Sequence, residues 1–207
     1  MERVGVAWIV GLAVLLLSGP TGLAAAIAYE STGMWWTRQT KAIENGAPAL
    51  GSALPVWSGD QMVGLLTIAC TKDGRGSYFE IPFKVFPQPG YDGKQLQMLL
   101  TINSKTFAAY VDRDRLLVYF NSPTLPPIPK LPAMVPGKSV PDALLEGKGV
   151  IQVRTDSAAA ESGIIVRPTR AENASPATAQ MMQRIRSQGL QPLALQDTIK
   201  ACQAYLR

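Results

Sequence analysis

Histidine is absent from the 207-residue chain, and cysteine occurs only twice, as Cys70 and Cys202. The first absence excludes nucleophilic triads that use histidine as base, and zinc or copper sites built on imidazole. Two cysteines are too few for a thiolate metal cluster. No glycine-rich phosphate loop is present either; "GRG" within "KDGRGS" lacks the spacing such loops need. The net charge is +5, but no run of Lys or Arg forms a basic stripe, so nucleic acid is not an expected partner. The expectation is a chain without a conventional catalytic group, metal or cofactor.

The N-terminus carries the clearest signal. Arg3 starts it, Val4 to Leu17 is apolar and uncharged, and "SGPTG" then breaks any helix. "LAAAIA" offers small-x-small cleavage sites after Ala26 or Ala28. Residues 1–28 are therefore read as a signal peptide, and the protein as periplasmic or secreted. The alternative is a membrane-anchored envelope component that keeps this segment. Gly19, Pro20 and Gly22 interrupt the run and leave it short for a bilayer span.

Export also decides the thiols. In an oxidising compartment two cysteines are most simply one disulfide, and Cys70 and Cys202 have only each other. Cys70 shares a strand face with Leu66 and Ile68. Cys202 falls on a helical stripe with Leu195, Ile199 and Leu206. Both sulfurs are thus expected in one core, clipping the last helix onto the first main strand.

Residues 29–55 have weak periodicity and hold the "MWW" cluster of Met34, Trp35 and Trp36. They are read as a lead-in segment. Trp35 and Trp36 either cover an edge of the core or form a surface arm for a partner; tryptophan's preference for burial favours covering. From Val56 to Asn121 the pattern is β. Phe79, Ile81, Phe83 and Val85 alternate with Tyr78, Glu80, Pro82 and Lys84, and Pro82 marks an edge strand or a bulge. Turn chemistry at Asp73-Gly74, Asp92-Gly93 and Asn103 predicts a five-strand antiparallel meander.

Residues 122–141 contain seven prolines and are read as an extended loop. Leu125, Ile128, Leu131 and Met134 either pack along the sheet or present a docking strip. Then "VPDALLEGKG" reads as a short helix, "VIQVR" and "GIIVR" as strands, and "SPATAQMMQRIRSQG" and "LALQDTIKACQAYLR" as helices. The fold class expected for 56–207 is a single α+β domain, an antiparallel meander sheet with C-terminal helices on one face.

"LLTIAC", "DALLEGKGVIQVR" and "GLQPLALQDTIKAC" together resemble segments of small bacterial envelope proteins. These are the type VI secretion-associated periplasmic proteins and the invasion-associated locus B kind. The resemblance implies a β-rich envelope accessory with another envelope protein as partner, and it carries over no catalytic residue. The proline-rich stretch and the "MWW" arm depart from that pattern. A rival function, a carboxylate-dependent envelope hydrolase, rests on Asp112 and Asp114 in "VDRDRLL". The interleaved Arg113 and Arg115 favour a solvated turn there.

Overall fold

The computed structural model describes residues 26–41, 46–72, 77–82, 96–111, 115–120, 139–155, 163–170 and 176–207. Eleven strands and three helices appear among them. The strands are β1 (Ile27–Ser31), β2 (Met34–Lys41), β3 (Pro48–Ser58), β4 (Gln61–Thr71), β5 (Ser77–Pro82), β6 (Leu96–Ile102), β7 (Lys105–Val111), β8 (Arg115–Phe120), β9 (Ile151–Thr155), β10 (Gly163–Pro168) and β11 (Gln191–Ala194). The helices are α1 (Val140–Glu146), α2 (Pro176–Ser187) and α3 (Leu195–Leu206).

All eleven strands belong to one mixed sheet, in the order β1-β10-β9-β6-β7-β8-β5-β4-β3-β2-β11. β1 also pairs with β3 through Glu30 and Trp57, so the sheet curls into a nearly closed, barrel-like form. β1 and β2 act as one strand bent at Gly33. The first half runs parallel to β10 and the second lies antiparallel to β3. Gly33 has φ of +72°, and a Cβ there would stand 2.9 Å from Pro168 Cβ. Only glycine meets both demands without strain. Across the bend, Pro55 falls between the β3 residues paired to β2 and the one paired to β1, where a missing N–H is tolerated.

A single core fills the curl. Leu54 and Val56 of β3, Leu66 and Ile68 of β4, Phe79 and Ile81 of β5, and Leu116 and Val118 of β8 all point inward, at period two. Val140, Ala143 and Leu144 of α1 and Leu195 and Ile199 of α3 close the core. Ser139 caps α1, its Oγ accepting from the Asp142 N–H at 3.1 Å. Asn103 and Ser104 both take positive φ, at 43° and 72°, which suits the two-residue turn between β6 and β7.

Three expectations are corrected. The meander is not sequential: β5 lies between β4 and β8, and β6 pairs with β7 and β9 instead of β5. The connection 83–95 is far longer than a hairpin turn, which frees β6 to leave its sequence neighbour. β5 is no edge strand. Pro82 lies past Glu80, the last β5 residue paired to β4, so that ladder needs no N–H from it. Residues 29–55 are no lead-in but most of three strands, with Trp35 and Trp36 each 1% exposed.

Candidate functional site

Cys70 and Cys202 are joined as the sequence suggests, with Cα atoms 5.6 Å apart across 132 residues of chain. That separation is ordinary for a disulfide. Both residues are buried in the core, so the bond has a structural place and offers no reactive thiol. Leu125, Ile128, Leu131 and Met134 lie outside the described residues, as do Asp112, Asp114 and the segment 1–25. Among the described residues no helix is long and apolar enough to cross a membrane.

Trp35 and Trp36 part company. Strand alternation sends Trp35 into the core, whereas Trp36 lies on the opposite, outer face of the sheet. There it lines a groove that runs across β2, β3 and β4. Gly51, Ala53 and Pro55 come from β3, and Leu65 and Thr67 from β4. Ile185 of α2 and Leu190 beyond it form the wall. The expectation that all helices share one face is therefore corrected: α1 and α3 pack on the core, and α2 lies over the outer face.

The groove encloses about 270 Å³ beneath α2. A second hollow of about 450 Å³ continues it toward β5, sharing Thr40, Gly51, Leu65 and Thr67 and reaching Tyr78 and Glu80. Tyr78 packs edge-on against Tyr119, with ring centroids 5.8 Å apart, in a small apolar cluster with Ala69 and Leu117. The lining is mainly apolar. Among the described residues that line it, the charged ones are Arg38 and Lys41 at one side and Glu80 at the other.

Two features set this surface apart from an ordinary solvated face. Leu65 stands 39% exposed at its mouth. Trp36 Nε1 is buried and finds no acceptor. Such an orphan donor costs about 1–3 kcal/mol relative to a satisfied one. The arrangement can hold an apolar or extended guest. It does not converge acids and bases on one point, as a hydrolytic site would.

Trp36 apart, sequence reasoning passed over these residues, although a signal was there. In β3 and β4 the positions facing away from the core read Ala49, Gly51, Ala53, Pro55 and then Leu65, Thr67, Ala69. A one-sided antiparallel sheet would put charged or strongly polar residues there. Comparison with protein-family models, curated proteins and solved structures returns no match to this chain.

Proposed function

We propose that this protein is an exported, non-enzymatic accessory of a bacterial envelope that binds a protein partner in the groove under α2. The observation that carries the reading is the groove itself: an open, largely apolar trough on the outer face of the sheet, with Leu65 exposed at its mouth. The apolar run at Val4–Leu17 supports export. The Cys70–Cys202 bond suits an oxidising compartment. Cleavage after Ala26 leaves β1 whole, whereas cleavage after Ala28 would remove two of its five pairs with β10.

A photocrosslinking residue placed at position 65 tests the reading in intact cells. It should give one discrete adduct of higher mass, and the same label at the exposed Ser104 should not. Leu65→Asp should abolish capture while leaving the circular dichroism spectrum unchanged. Equal yields from positions 65 and 104 would remove the groove from consideration.

A further inference from the structure

We propose that the groove receives an acidic polypeptide segment in extended form, added as a strand to the open edge of β2 at Arg38–Lys41. This rests on the reading of the groove as a protein-binding site. β11 pairs only with Met34 to Thr37, the first half of β2. On its other side β2 stays paired to β3 as far as Lys41. Beyond Thr37 the outer edge of β2 thus continues for four exposed residues with, among the described residues, no strand beside it. In an antiparallel ladder half the backbone N–H and C=O groups of such a stretch face the free edge.

The chain leaves this edge for a local reason. Gly189, at φ +73°, ends α2 by donating its N–H to Arg186 O, and β11 begins only at Gln191. An incoming strand in line with β11 would extend the sheet where β11 stops, which is the geometry of strand addition. Its side chains on the outer face would meet the groove, because Arg38 and Thr40 belong both to the edge and to the groove lining.

Charge selects the occupant. Arg38 and Lys41 flank the edge, and both line the hollows beside it. A second copy, related by a two-fold axis through this edge, would bring the Arg38 and Lys41 side chains of both chains to one seam. Like charges facing each other across a ladder destabilise it, and edge lysines commonly guard against self-pairing. An acidic segment reverses the sign of the same contacts.

The test uses the intact oxidised protein and a short fluorescent peptide of alternating glutamate and valine, followed by anisotropy. The peptide should bind, and its lysine–valine counterpart should bind about tenfold more weakly or worse. Methylating alternate backbone nitrogens of the peptide should abolish binding, since that removes ladder donors and leaves charge intact. R38E/K41E should reverse the preference between the two peptides. The proposal falls if the acidic peptide fails to bind, if N-methylation leaves binding unchanged, or if the charge reversal leaves the preference as it was. Its failure is separable from that of the groove: capture lost in Leu65→Asp but kept in R38E/K41E would leave the groove standing and remove strand addition.

Discussion

Replacing Cys70 and Cys202 together by alanine tests how this domain is held, because the bond joins the C-terminal end of β4 to α3. The two residues are 132 apart in sequence. Cross-linking a loop of that size restricts the unfolded chain by about 5 kcal/mol in the chain-entropy account. Native domains are stable by roughly 5–15 kcal/mol, so the bond supplies a third or more of the total. The loss should lower the urea midpoint by about 2.5 M, taking a slope near 2 kcal/mol/M, and the melting temperature by about 10–20 °C. Both sulfurs are buried, so reductant should act on the native protein only through opening. α3 keeps its apolar contacts through Leu195 and Ile199 and should remain folded, but its amides should exchange with solvent before those of β4. Reducing the alanine variant should change nothing. Coincident urea midpoints for the oxidised protein and the double variant would refute the argument, as would α3 amides protected as well as those of β4.

The closure of the curled sheet depends on Arg170. Its side chain is 4% exposed, lies over the Trp57 ring at 5.0 Å, donates to Gly59 O and pairs with Asp60 at 3.4 Å and Glu30 at 3.9 Å. Removing it strands no buried charge, because Asp60 and Glu30 are largely solvated. Arg170→Met should therefore cost about 1–3 kcal/mol by denaturant titration, and a loss beyond 5 would contradict this account. Asn103 ties the β6–β7 turn to its neighbours, donating to Ala143 O and accepting from the Gln152 N–H, both at 2.9 Å. Asn103→Ala should cost a similar amount and raise the exchange rate of the Gln152 amide; an unchanged rate would rule the link out. Burial raises the Tyr29 pKa above its ordinary 10.0. A raised folded-state value means that the stability it confers is complete below pH 10 and is lost as pH rises beyond it. Tyr29→Phe should flatten that alkaline loss in a pH series of urea midpoints, and an identical slope in both proteins would count against it.

The disulfide and the helices were legible in sequence because each follows from a local pattern or from counting. Two cysteines leave one intramolecular pairing, and the Leu195/Ile199/Cys202 spacing names the buried face of α3 directly. Strand order was not legible, because β pairing is non-local. Nothing near Leu96 states that β6 will choose β9, or that β5 will choose β8. β1 and β2 were missed for a related reason. Their register depends on the Gly33 bend and on partners at the far end of the chain, and their own residues show little alternation. Trp36 shows the limit of residue preference: tryptophan's tendency toward burial held, yet only the sheet decides that Trp35 faces the core and Trp36 the groove. The proline-rich residues 122–141 drew notice by composition, whereas the groove residues are small and apolar and composition passes over them.

The bent β1–β2 strand has a consequence for the order in which the fold can be assembled. Its two halves leave the ribosome before their partners, yet Ile27 pairs with Ile164 and Met34 with Ala194. The opening strands must wait for the closing ones. Until β10 and β11 arrive, one edge of the bent strand has no partner, and the core lacks α3 and the bond to Cys70. Contacts so distant in sequence make for slow folding, because loop closure must precede the contacts that compensate it. Such a chain spends the interval with apolar strand edges exposed and prone to aggregate. The chain must therefore be made through Ala194 before the sheet can close, and a chain stopped short of Gln191 would keep the exposed edge permanently.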